Sequence, residues 1–155
     1  MTALTLNFSL EEMTSTSHAD LQAANRAEAE SFRSALLTTA QLMERVRVAL
    51  GVAIRVSSGF RGPTLNHRVG GSRTSQHMRG EACDFVPVGL DLETAFARLV
   101  ARVDAGDLLV GQLLRERSWI HVSIPGDRPG ERCGEIGHQA ADGSVVIDRR
   151  VAPRA

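Results

Sequence analysis

Ser75-Gln76-His77-Met78-Arg79-Gly80-Glu81-Ala82-Cys83-Asp84 is the stretch on which the reading of this chain turns. It leaves a polar loop, passes a glycine and enters a strand from Glu81 to Val86, closed by Pro87. On that strand Ala82, Asp84 and Val86 share one face, and Cys83 and Phe85 share the other. His77 and Asp84 stand seven positions apart, with Gly80 between them. A second imidazole follows in Ser118-Trp119-Ile120-His121-Val122-Ser123. One carboxylate and two imidazoles make a three-ligand set of the kind that catalytic zinc uses, with one coordination position left for water. Strand parity points Cys83 away from Asp84, so the thiol is left out of the set. Taken singly, a histidine or an aspartate is more often structural or solvated; the combination carries the weight.

Working outward, Val52 to Ser57 alternates and is rich in β-branched residues, which predicts a strand. It runs into a turn at Ser58-Gly59-Phe60-Arg61-Gly62-Pro63. Thr64 to Arg68 makes one helical turn, and Val69-Gly70-Gly71-Ser72 leads the chain back toward His77. That glycine pair has neither nucleotide-binding fingerprint, Gly-x-x-x-x-Gly-Lys or Gly-x-Gly-x-x-Gly. Further upstream, apolar residues recur at three- and four-residue steps from about Ala27 to Leu50: Phe32, Leu36, Thr39 or Ala40, Met43, Val46 and Leu50. This predicts a bracing helix, stopped by Gly51. Ser9-Leu10-Glu11-Glu12 is a capping box that opens a short helix. Ser15 to Ala24 is polar and reads as a loop.

Downstream, Asp91 caps a helix to Val103 that carries Leu92, Phe96, Leu99 and Val103 on one stripe. Leu108 to Glu116 and Trp119 to Ile124 are two strands about Arg117-Ser118. If those two residues form the turn, Glu116 pairs with Trp119 and Leu114 with His121. Gln112, Leu114, Glu116, Trp119, His121 and Ser123 then project from one face. Leu113, Ile120, Val122 and Ile124 form the core face, which Arg115 fits poorly. Glu116 and His121 become diagonal neighbours, roughly 5–8 Å apart. A carboxylate there can reach a water beside the metal without itself being a ligand, which is where a general base is needed. Residues 143–148 read as a last edge strand and 150–155 as a loose tail.

The bulk properties narrow the class. The chain has 155 residues, which predicts one domain over 1–155 with its core at about 5–149. Formal net charge is zero and the arginines are scattered, so nucleic acid is not an expected partner. There is no apolar run long enough to span a membrane, so no membrane insertion is expected. The opening ten residues lack a basic segment followed by an apolar block, so no secretory signal is expected either. Cys83 and Cys133 read as free thiols, with a single bridge as the minor alternative. The element order predicts an α+β fold, with helices packed on one side of a mainly antiparallel sheet.

At these residues the sequence resembles the zinc D-Ala-D-Ala carboxypeptidase family. That family includes phage and prophage cell-wall peptidases and shares its fold with the hedgehog signalling domain. The matching residues are Ser57 to Pro63, Leu65-Asn66, Val69 to Ser72, Ser75-Gln76-His77, Gly80-Glu81-Ala82, Asp84, Gln112-Leu113-Leu114, Glu116 and Trp119 to Ser123. The opening Asn7 to Glu12 is similar as well, so the resemblance covers roughly residues 5 to 125. It implies Zn2+ on His77, Asp84 and His121, with Glu116 as the catalytic carboxylate. It further implies that Arg61 contacts the substrate or the oxyanion, and that Ser75 and Gln76 line the cleft. The chain departs from many relatives at Gly62, Cys83 and Gly111, and His67 is unusual. The expected function is therefore zinc-dependent hydrolysis of a peptidoglycan stem-peptide bond involving D-alanine. An L-Ala-D-Glu endopeptidase of the endolysin type, or a catalytically inactive zinc-containing binding module, are the alternatives. The expected setting is a monomer made in the cytoplasm, of phage or prophage origin, that acts on stem peptides at the bacterial cell wall or periplasm.

Overall fold

The computed structural model describes residues 1–126 and 132–152. Its helices are α1 (Leu10–Met13), α2 (Gln22–Glu28), α3 (Arg33–Leu50), α4 (Pro63–Arg68) and α5 (Leu92–Ala105). Its strands are β1 (Ile54–Ser58), β2 (Ala82–Pro87), β3 (Gln112–Arg115), β4 (Ile120–Ser123), β5 (Glu135–Gln139) and β6 (Val145–Arg150). The strands form one mostly antiparallel sheet in the order β1-β2-β4-β3-β5-β6, so the α+β expectation holds. The residues group into two compact units: Met1–Glu44 with Val56–Asp84, and Arg45–Arg55 with the chain from Phe85 on. The divide runs through α3, β1 and β2.

In the first unit, the Ser9 hydroxyl accepts the Glu12 N–H at 3.1 Å and caps α1. Burial raises the Glu12 carboxyl, against backbone hydrogen bonds from Ser9 and Val56. The box therefore ties α1 to the middle of β1 as well as opening a helix. Ser15 to Ala24 is not a loop throughout: a 3-10 turn at Ala19–Leu21 leads directly into α2. The polarity that hid it is solvent-facing, since only Asn25 of α2 is buried. The expected helix from Ala27 is also interrupted, because Ala29–Phe32 is a tighter 3-10 turn before α3 begins. Leu36, Thr39, Ala40, Met43 and Val46 of α3 are fully buried, as their spacing requires. Gly51, at φ 70°, ends the helix in a conformation that costs other residues more. Phe32 stacks on Phe60 with ring centroids 5.3 Å apart.

In the second unit, α5 is capped by Asp91, whose carboxylate accepts the Thr94 N–H at 2.9 Å. Its buried positions are Ala95, Leu99 and Val103, while Phe96 is only half-buried. The two expected strands around Arg117-Ser118 are shorter than their apolar runs. Leu108 and Val110 are buried outside any strand, and the ladder begins only at Gln112. β5 was not anticipated from the sequence. Glu135–Gln139 runs parallel to β3, pairing Gln112 with Glu135 and Leu114 with Gly137. β6 then returns antiparallel, with a register shift at Ile136/Gly137. Arg150 belongs to β6, so position 150 is part of the ladder and not of a loose tail; residues 153–155 of the expected tail lie outside the described residues.

Candidate metal centre

Two turns of the first unit carry His77 and Arg61. Ser75 caps a 3-10 turn at Gln76–Arg79, its hydroxyl accepting the His77 N–H at 3.2 Å. Gly80 ends that turn at φ 72°, and Thr39 of α3 donates to its carbonyl at 2.7 Å. His77 is thus held between a cap and a glycine stop, and it is 2% exposed. Its Nδ1 lies 2.7 Å from the Gly59 carbonyl. A carbonyl can only accept, so Nδ1 carries a proton and Nε2 is the nitrogen turned toward Asp84. Nε2 lies 3.2 Å from Asp84 Oδ1, and Asp84 on β2 is 7% exposed. An imidazole oriented through its second nitrogen by a carbonyl is how histidine ligands are commonly held.

Arg61 sits on the neighbouring turn. Its N–H donates to the His77 carbonyl at 3.0 Å, and its guanidinium Nη2 lies 3.4 Å from the Ser75 hydroxyl. Gln76 is buried beside His77 in the chain. A residue that the sequence reading passed over, Asn25 on α2, fixes this turn from beneath. Its Nδ2 donates to the carbonyls of Thr14 and Phe60 at 2.8 and 3.0 Å, and its Oδ1 accepts the Gly62 N–H at 2.8 Å. Both flanks of Arg61 are therefore bonded to one buried amide. The sequence signal was slight: an asparagine, a weak helix former, inside a helical segment.

In the second unit, β3 and β4 pair in the register expected from the turn. Leu114 faces His121, Leu113 faces Val122, and the Glu116 N–H donates to the Trp119 carbonyl at 3.0 Å. Direct cross-strand partners share a face, so His121 and Glu116 project from the same side. Arg115, which fitted the core face poorly, turns its Nε to Glu93 at the start of α5, at 2.9 Å, and donates Nη1 to the Glu116 carbonyl. Gly111, where the sequence departs from the family it resembles, is closely packed. A Cβ there would lie 2.4 Å from the Ile124 carbonyl oxygen, so a side chain at 111 requires the backbone to move.

His77, Asp84 and His121 are all buried, and each offers one ligand atom within 4.8 Å of the others. Two imidazole nitrogens and one carboxylate oxygen at that separation suit a divalent transition metal. Cys83 faces away, buried and protonated: burial, then the charges of Asp84 and Glu12, push its thiol well above the ordinary range. Both cysteines are free. His18, His67 and His138 take no part in the cluster. His138 instead pairs with Asp148 across the β5–β6 ladder at 2.8 Å.

No curated protein matches the chain. A family model described as Peptidase M15 matches residues 6–123, which span α1 through β4 and include all three cluster residues. A match over well over half of its length, carrying a buried His-Asp-His set able to hold a metal ion, makes this chain a member of the Peptidase M15 family of metallopeptidases.

Proposed function

We propose that this protein is a zinc-dependent peptidoglycan peptidase that hydrolyses a stem-peptide bond involving D-alanine. The observation that carries this reading is the convergence of His77, Asp84 and His121 to within 4.8 Å inside a Peptidase M15 match. In this proposal His77 Nε2, an Asp84 oxygen and a His121 nitrogen hold the zinc. Zinc there supplies Lewis acidity, which acidifies water and polarises a scissile carbonyl. Everything else falls to side chains. The Gly59 carbonyl holds His77 through Nδ1, so that Nε2 is the nitrogen that would coordinate. Glu116 takes the proton from the attacking water and delivers it to the amine nitrogen as the C–N bond breaks. Arg61 pairs with a substrate carboxylate or with the developing oxyanion. Ser75, within 3.4 Å of the Arg61 guanidinium, and Gln76 border the same cleft. The place of action is the bacterial cell wall.

Two variants and one digest test the proposal. The purified protein should hold close to one zinc per chain by elemental analysis, and His77→Ala should lose it. An active wild type without metal would refute the mechanism. Glu116→Gln should keep fold and metal but lose roughly 10²–10⁴-fold in kcat, the usual share of a general base. Digestion of purified peptidoglycan, read by mass spectrometry, should release free D-alanine. New N-terminal D-glutamyl ends would instead assign the L-Ala-D-Glu bond.

A further inference from the structure

The β5–β6 hairpin lies beyond the family-matched residues, yet it reaches the turn that carries Glu116. Glu116 stands just past the end of β3, its N–H donating to the Trp119 carbonyl across the turn. The next amide, Arg117 N–H, donates at 3.1 Å to Oε1 of Gln139, the last residue of β5. The other end of that amide is committed as well, since Gln139 Nε2 donates to the Gly143 carbonyl at 3.3 Å. With Nε2 turned to a carbonyl, Oε1 is left aimed at the Arg117 N–H. Arg117 is anchored a second time, its Nη2 donating to the Ala141 carbonyl at 3.3 Å. The parallel register pairs Arg115 with His138, so Gln139 stands beside Glu116 on the face that also bears His121.

We propose that Gln139 is a positioning residue for Glu116: the appended hairpin clamps the 116–119 turn and so fixes the aim of the carboxylate. The proposal rests on the reading of Glu116 as the base. Gln139 touches neither substrate nor metal in it. Its effect comes through geometry, where an error of about 1 Å can cost roughly 10²-fold in rate.

The test is a double-mutant cycle on purified stem peptide, with zinc content and thermal unfolding measured alongside. Gln139→Met keeps the shape and removes the acceptor. Expected are a kcat lower by roughly tenfold or more with KM and zinc content unchanged, and faster hydrogen exchange at the Arg117 amide. In a Glu116→Gln background the same substitution should change kcat little, since residues acting as one unit are not additive. An unchanged kcat in Gln139→Met overturns the clamp. An equal loss in both backgrounds also overturns it, by showing a general structural effect. If Glu116→Gln itself retains full turnover, the base assignment fails first and the clamp falls with it. Should the methionine variant not fold, Gln139→Thr, a strand former too short to reach Arg117, takes its place with the same expectations.

Discussion

At the scale of single residues, the site depends on groups that never touch a metal. Asn25 satisfies two carbonyls and one N–H inside the first unit while only 2% exposed. Asn25→Ala would strand those buried groups, at a cost of about 1–3 kcal/mol. The loss should appear in chemical denaturation, and Arg61 should lose its fixed turn at the same time. The two thiols differ in a testable way. Cys83 is wholly buried and held protonated, whereas Cys133 is half-exposed. Alkylation of the native protein should therefore modify one cysteine per chain, and of the unfolded protein two. Rapid native labelling at both would contradict the burial of Cys83.

At the scale of elements, close approach decides what a turn can be made of. A Cβ on Gly59 would lie 2.1 Å from the Met13 carbonyl oxygen, a backbone atom that cannot swing aside. Gly59→Ala should therefore push α1 off the β1 turn, costing about 1–3 kcal/mol as overpacking does. It should also weaken metal retention, because the Gly59 carbonyl orients His77. Gly62 is more forgiving. There the nearest obstacle is the carboxylate end of Glu28, a flexible side chain that can swing aside. The hairpin register followed from two turn residues because side chains alternate with a period of two, so one correct pairing fixes every face. β5 escaped prediction because its ladder partner, β3, lies more than twenty positions earlier, and Glu135-Ile136-Gly137-His138-Gln139 has no apolar alternation to announce it.

At the scale of the whole molecule, metal and pH should both register in stability. A ligand that binds only the folded state adds about 2.7 kcal/mol when present at a hundred times its Kd. Chelation should lower Tm, and zinc should restore it in the wild type but not in His77→Ala. One surface ion pair contributes to the acid response. The Asp104 carboxyl is held below its ordinary value by hydrogen bonds from Arg149, which join α5 to β6. A depressed folded pKa means stabilisation that is complete above the unfolded value and is lost as pH falls through the folded one. Arg149→Met should remove that part of the acid dependence while leaving the neutral-pH fold intact, as urea midpoints across a pH series would reveal.

The amino-acid sequence by itself determined the local pieces: the Ser9 and Asp91 caps, the buried stripe of α3, the Glu116–Trp119 turn and the identity of the three ligand candidates. These follow from spacing along one chain, where period, cap and turn chemistry act within a few residues. It could not determine which distant groups share a partner. The meeting of His77 with the Gly59 carbonyl, the amide of Asn25 under Arg61, and the grip of Gln139 on the turn beside Glu116 were decided only by the tertiary structure. Each joins backbone groups that local structure leaves unsatisfied, and a buried N–H or carbonyl will take its partner from whatever segment packing brings within 3 Å or so.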